Sequence, residues 1–494
     1  MKKIIALIMA LALVMGLAIT ASAQTITVTE GGSATITITN ASKGETYSVY
    51  KVFGATVTGA EEGGSIAYTG DVPSELAGCF VKDAAGNISK KADVTDEAIL
   101  KALKTWAGSA TAVKSAVSDG SEMKFTGLKY GYYVVLSSQG KEGDEAYGAA
   151  ITVTSTNPTA TIVDKNSTTP ANLTKTIDDD DVNIGQTVTY TVTFKTSNYD
   201  GAGTAAKKIT KYTIEDTLPE FLTEVKVTSI KVDGTDIAVQ QFANKKLDIA
   251  WVDENKNSLY NNGATVTITY TAKITEKAAI AGEGNENQVT LTWTKENDTD
   301  LGGGDGDFVE KEKTSTYALA LKKVNQSGTN LAGATFQFPF YVKETADTDG
   351  AYIYAGIEGG TGLTNTINTP DSGEIVVKGV ASGTYNVTET AAPTGYNKLT
   401  GDVAINVTKT EETTTSVTKY LDANGNVVDA QAENGATVTY TNDDLAVSVQ
   451  IVVNKTGSAL PSTGGIGTTL FYVIGGLLMT GAAVLLITKK RMSN

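Results

Sequence analysis

The feature that most constrains this chain is a strand-like alternation that recurs after a glycine. Residues 186–194 read QTVTYTVTF and residues 264–274 read ATVTITYTAKI. SATITITN (33–40) and ATVTYTN (436–442) repeat the pattern. Successive side chains of a strand point to opposite faces, so these runs put Val, Ile and Tyr on one face and Thr on the other. Such runs, separated by Gly, Asn and Asp turns, predict an all-β chain built of sandwiches. The phrase GATVT stands at both 263–267 and 435–439, which suggests related modules.

One segment has a different period. In VTDEAILKALKTWAG (94–108), Ile99, Leu103 and Trp106 recur at helical spacing behind a cap at Thr95 or Asp96. It reads as a packing helix inserted in the first domain. The 494 residues exceed what one core can organise, so about three domains are expected. Breaks fall in the polar stretches 155–173 and 295–315. The resulting plan is a signal peptide at 1–23, β domains at 24–164, 165–314 and 315–457, and a C-terminal segment at 458–494. The Asp/Gly stretch at 298–307 misses the EF-hand spacing, and both it and DDDD (178–181) read as solvated loops.

Both ends are apolar. MKKIIALIMALALVMGLAITASAQ has a basic start, an apolar run and an Ala21-Ser22-Ala23 cleavage site, which together predict a secretory signal peptide. Residues 467–487 are long and apolar enough to span a bilayer, and Lys489, Lys490 and Arg491 follow on the expected cytoplasmic side. The bulk of the chain is therefore expected outside the cell. Removing both ends deletes five basic residues and takes the net charge from −15 to −20, which speaks against nucleic-acid binding. The single cysteine, Cys79, has no internal partner and reads as a small buried side chain. The absence of histidine removes Ser-His-Asp and Cys-His nucleophile systems and histidine zinc sites. Carboxylate-pair glycosidase chemistry stays open, although nothing gathers acids with aromatic sugar platforms. No cofactor is called for.

Two lysines break the alternation. In YALALKKVNQSG (317–328), Lys323 shares a face with Leu319 and Leu321; in LTKTI (173–177), Lys175 shares one with Leu173 and Ile177. A buried, unpaired ammonium is costly, so each lysine must be neutral, paired or consumed. Three other polar residues show the same inward phase. Glu389 is in step with Tyr385 and Val387, Asp216 with Ile214 and Leu218, and Asn287 with Val289, Leu291 and Trp293.

The C-terminus carries a resemblance. Leu460-Pro461-Ser462-Thr463-Gly464, followed by the apolar span and the basic tail, resembles a sortase cell-wall sorting signal (LPxTG). That resemblance implies cleavage between Thr463 and Gly464 and transfer of the Thr463 acyl group to an amine, with peptidoglycan as the final anchor. LKKVNQSGTNLAGATFQF (321–338) and GTYNVTETAAPTGY (383–396) resemble the first strand and E-box of CnaB-type domains in Gram-positive pilins. In that family a lysine, an acid and an asparagine form an internal isopeptide bond. Lys323, Glu389 and Asn454 match, with Asn442 as a second candidate partner and a buried Lys–Glu ion pair as the alternative. A protonated Glu389 is expected to polarise the Asn454 carboxamide. The 165–314 region resembles the CnaA-type domain, with Lys175, Asp216 and Asn287 matching. In the first domain LKYGYYVVLSS (128–138) resembles the E-box strand without its glutamate. Lys51 there is in step with Val49 and Phe53, and no bond is expected.

Each bond is expected to tie a domain's first strand to its last. Closing so long a loop is worth up to about 4–5 kcal/mol by analogy with disulfides. The whole resembles the major shaft subunit of a sortase-assembled pilus: a non-enzymatic, Ig-like structural polymer of the cell surface. Its implied partners are sortase, other copies of itself, peptidoglycan and minor pilins. Lys165 of TATIVDKNSTTP partly matches the YPKN element whose lysine joins subunits in such pilins, with Lys207 and Lys208 as rivals. The alternative is a monomeric wall-anchored adhesin for a host or matrix ligand.

Overall fold

The computed structural model describes residues 24–26, 33–58, 65–138, 148–164, 170–201, 206–297, 301–457 and 466–492. The alternating runs are strands. QTVTYTVTF becomes Thr187–Lys195 and ATVTITYTAKI becomes Thr265–Ile274. These two pair antiparallel, with Val192 opposite Ile268 and Tyr190 opposite Tyr270, so their apolar faces coincide. Contacts divide the described residues into two compact units. One takes in those up to 180 with 185–278 and 285–314; the other takes in 181–184, 279–284 and those from 315 onward.

The first unit holds two pairs of sheets among the described residues. Within 24–163, Gln24–Ile26, Met123–Leu128, Ala34–Thr39 and Thr159–Val163 form one sheet. Thr46–Thr58 and Gly131–Ser137 lie at the centre of the other. Ile36, Ile38, Tyr47, Val49, Phe125 and Val135 fill a core there. The helix spans Asp96–Ala107 and is capped by Thr95, whose side chain accepts from the Ala98 N–H. It buries Ile99, Leu103 and Ala107, and packs in a second cluster with Cys79. A register shift between Lys51 and Phe53 breaks the simple alternation expected there. Lys51 is consequently only half buried, with burial and then the Lys129 charge pushing its ammonium down.

Within 171–314, Ala171–Ile177, Thr187–Lys195, Thr265–Ile274 and Leu222–Val232 build one sheet, and Lys207–Asp216 and Asn285–Lys295 are neighbours in the other. The stretch 295–315 is not simply a linker. Leu301–Gly303 and Val309–Thr314 both pair with Asn285–Lys295. Gly302 lies flat against the Trp293 indole; a Cβ there would come within 2.1 Å of the ring. The DDDD segment is likewise engaged. Asp178 accepts from the Thr189 N–H, Asp179 from Gln186, and Asp181 from the Ser382 N–H.

In the second unit, Tyr317–Asn325 runs parallel to Ser448–Asn454 and antiparallel to Glu374–Val380. The strand is buried on both faces rather than one. Leu319 and Leu321 enter the main core, while Ala318 and Ala320 meet Tyr440, Leu445 and Val447. Lys322, on that second side, is also buried and pairs with Glu374 at 2.7 Å. The helix Ile466–Met492 contains Tyr472–Lys490, long and apolar enough to cross a membrane.

Candidate functional site

The first cluster forms between the two sheets of residues 171–314. Lys175 comes from the strand at the edge of one sheet; Asp216 and Asn287 come from adjacent strands of the other. Asp216 lies opposite Val289 in that ladder, which puts Asn287 two positions further along. All three are buried. Lys175 Nζ donates to Asp216 Oδ2 at 2.8 Å, inside a box whose walls are the stacked rings of Tyr190 and Tyr270. Nζ lies 5.1 Å and 5.9 Å from the two ring centres. Burial lowers the Lys175 ammonium below the usual lysine range, with the Asp216 charge opposing. The Tyr270 hydroxyl donates to Asp216 Oδ2 at 2.6 Å and accepts from Asn287 Nδ2 at 3.0 Å. Burial, with Asp216 next, raises the Tyr270 phenol; burial pushes Tyr190 up to about 12. Asn287 Oδ1 accepts from the Thr217 hydroxyl at 3.1 Å. Asn287 is not on the last strand, as the sequence reading expected, because Val309–Thr314 follows it.

The second cluster lies in the second unit. Lys323 and Asn454 stand on neighbouring parallel strands, with Lys323 opposite Val452 and Asn454 opposite Asn325. Glu389, on Gly383–Ala391, is distant in hydrogen-bonding order, yet Asn454 Nδ2 donates to its Oε1 at 2.8 Å. The sheet therefore curls until these strands face each other. Glu389 Oε2 accepts from the Leu399 N–H at 2.8 Å. Lys323 is wholly buried, and among the described residues its Nζ reaches only the Val452 carbonyl, at 3.3 Å. Burial pushes its ammonium down to about 8, against the pull of Glu389. Asn454 Oδ1 is buried and has no hydrogen-bond partner among the described residues. Glu389 thus meets the amide nitrogen here, not the oxygen it was expected to polarise. Turning the carboxamide over would exchange them. Asn442, the second candidate, is half exposed and turns its Oδ1 to the Asp444 N–H, away from this cluster.

Lys165 and residues 460–464 lie outside the described residues. The chain just before Lys165 is firmly held. The buried Asp164 carboxylate accepts from the Tyr47 hydroxyl, and its backbone carbonyl accepts from Asn40 at 2.6 Å. The rival Lys207 is exposed, while Lys208 donates to the Lys256 carbonyl. Sequence reasoning missed Tyr270 and Thr217. It also missed Asn40, Asn198 and Asn262, which join the two sheet pairs of the first unit through side-chain hydrogen bonds. Tyr270 sits in phase with Ile268 and Ala272 on an otherwise apolar face, which marks it as inward but not as a partner of Asp216 and Asn287.

Two family models match within the C-terminal third of the chain. Residues 317–421 match the SpaA prealbumin-like fold domain family, and residues 452–494 match the LPXTG cell wall anchor motif. This is a cell-wall-anchored surface protein. It is 24% identical over 386 residues to the trypsin-resistant surface T6 protein of Streptococcus pyogenes, covering 63% of this chain and 67% of the relative. Similar solved structures include the group B streptococcus pilus 2b backbone protein, at 22% identity and TM-score 0.39. That match covers 58% of this chain and 99% of the other. The T6 backbone pilin of S. pyogenes aligns at 16% identity and TM-score 0.37, over 87% of this chain and all of the other. The anchored chain resembles major pilins of the sortase-assembled kind.

Proposed function

We propose that this protein is the structural shaft subunit of a covalently polymerised pilus, and not an enzyme acting on an external substrate. It keeps the three-module plan 24–164, 165–314 and 315–457. In this reading Lys175 joins Asn287 with Asp216 as promoter, and Lys323 joins Asn454 with Glu389 as promoter. Each amine displaces ammonia from its carboxamide. Burial supports the chemistry by favouring the neutral, nucleophilic amine over the ammonium. Sortase then cleaves after Thr463 and passes its carbonyl to Lys165 of another copy. Such a head-to-tail junction does not close on itself and so propagates as a fibre. The terminal copy is passed to peptidoglycan, and minor pilins join by the same chemistry.

The observation that carries this reading is the burial of two lysines, each with an acid and an asparagine, in a chain that ends in a wall anchor. The test is a blot of a cell-wall extract together with the intact mass of a recombinant ectodomain. An SDS-resistant ladder is expected, with a mass short of the sequence by one ammonia per bond. A single band would favour the monomeric adhesin, and a full sequence mass would remove the internal bonds.

A further inference from the structure

The first cluster differs from the second in having a hydroxyl between its acid and its amide. The Tyr270 oxygen is within 2.6 Å of Asp216 Oδ2 and 3.0 Å of Asn287 Nδ2, the atom that must leave. In the second cluster the amide nitrogen contacts its acid directly. The orientation of Asn287 follows from the single proton of the Tyr270 hydroxyl: it is spent on the acceptor-only Asp216 carboxylate, so the Asn287 atom facing that oxygen is a donor. The Gln288 N–H donates to Thr217 Oγ1 at 3.0 Å, and the Thr217 hydroxyl donates to Asn287 Oδ1 at 3.1 Å. Oδ1 therefore faces Thr217 and Nδ2 faces Tyr270.

We infer that Tyr270 is a catalytic residue of the Lys175–Asn287 bond, relaying a proton from Asp216 to the departing nitrogen. The inference rests on the bond-forming reading above. The ammonium of Lys175 first gives one proton to Asp216. The free amine attacks Asn287 Cγ, so a C–N bond forms and the carbonyl π pair moves to Oδ1, where Thr217 donates. Nδ2, no longer conjugated, becomes basic. Tyr270 turns its proton to Nδ2 and takes one from protonated Asp216, which recovers one from the attacking nitrogen. The Cγ–Nδ2 pair leaves with ammonia. An isopeptide, ammonia and a protonated Asp216 remain, and hydrogen and charge balance without another reactant. An amide nitrogen is a poor leaving group unless protonated, so this is the step where a positioned acid has most effect. Tyr270 is wholly buried and stacked on Tyr190, which holds the phenol in place and keeps bulk water from substituting for it.

The test is a time course of closure in the full ectodomain, made by pulsed cell-free translation and read as the branched Lys175–Asn287 peptide. Tyr270→Phe keeps the stacked ring and removes only the hydroxyl. Closure is expected to slow about 100-fold or more, while closure at Lys323–Asn454 in the same molecules stays unchanged. In an Asn287→Ala background, where no bond can form, Tyr270→Phe removes the hydrogen bond to buried Asp216 and should lower the melting temperature by only a few degrees, leaving the domain folded. Should Tyr270→Phe not fold, site-specific fluorotyrosine at 270 replaces it; its more acidic phenol should move the pH profile of closure to lower pH. Equal closure rates with an unmoved pH profile would overturn the relay and leave the bond standing. Absence of the branched peptide from the wild-type chain would overturn the bond itself.

Discussion

Lys322 and Lys323 are adjacent and both buried, yet their environments differ. The Lys322 ammonium has a carboxylate at 2.7 Å and a backbone carbonyl at 3.0 Å; among the described residues the Lys323 ammonium has one hydrogen bond, of 3.3 Å. Alternation identified Lys323 as inward but gave no hint that Lys322 is covered too, because that depends on a second layer packing over the outer face. The unequal partners make a pH prediction. In Asn454→Ala, Lys323 keeps its amine, with a folded-state value of about 8 against an ordinary 10.5. Between those values the unfolded chain binds more protons, so stability rises with pH across that window and levels off above it. The rise should be on the order of 3 kcal/mol, measured by urea unfolding against an Asn454→Ala/Lys323→Met control that lacks the titrating group. A flat difference between the two variants would contradict it. In the wild-type chain the proposed bond consumes the amine and leaves nothing to titrate. Glu389→Ala should return one ammonia to the intact mass and lower protease resistance. The inward phase of five of the six cluster residues was legible, because period-two alternation is a local property; Asn454 was placed by the motif match alone. Tyr270 was not legible as a partner, because an aromatic on an apolar face looks like core until its hydroxyl is placed against two other strands.

Elements were easiest to read where one face is apolar. Thr187–Lys195 and Asp96–Ala107 fall within a residue or two of their expected spans. Val309–Thr314 was read as part of a linker, since VEKEKT has no apolar face. It is a charged strand laid along Asn285–Lys295, with Lys311 paired to Glu286 at 2.9 Å. Charges of this kind suit a strand that must not recruit another chain. The docking of residues 181–184 within the second unit was also invisible. The Ile184 N–H donates to the Gly379 carbonyl, and the Ile184 side chain occupies the space where a Cβ at 379 would lie, 2.2 Å from its Cδ1. Gly379 also has a φ of +87°. Gly379→Ala should therefore cost about 1–3 kcal/mol through crowding and backbone strain together. The loss would be seen as a lower melting temperature in the ectodomain. An unchanged melting temperature would mean that the 181–184 segment contributes nothing to the stability of its unit.

For the whole molecule the proposed assembly chemistry falls on sequence segments with no alternating pattern, so it was read from motifs alone. Lys165→Ala in the native host should abolish the high-molecular-weight ladder and leave a wall-anchored monomer; an unchanged ladder moves the junction to another lysine, such as exposed Lys207. Mature surface material should contain no peptides from 467–487, and finding them would indicate a plain membrane anchor. A last consequence follows from the parallel pairing of Tyr317–Asn325 with Ser448–Asn454. About 130 residues separate Lys323 from Asn454. Spooled out at roughly 3.4 Å each, they would lengthen a module by roughly 400 Å or more. A bridge between those two residues locks that slack away. A fibre of such modules would behave as an inextensible cable. It would not soften a sudden jolt by paying out length, and would hand the full shock to whatever it grips.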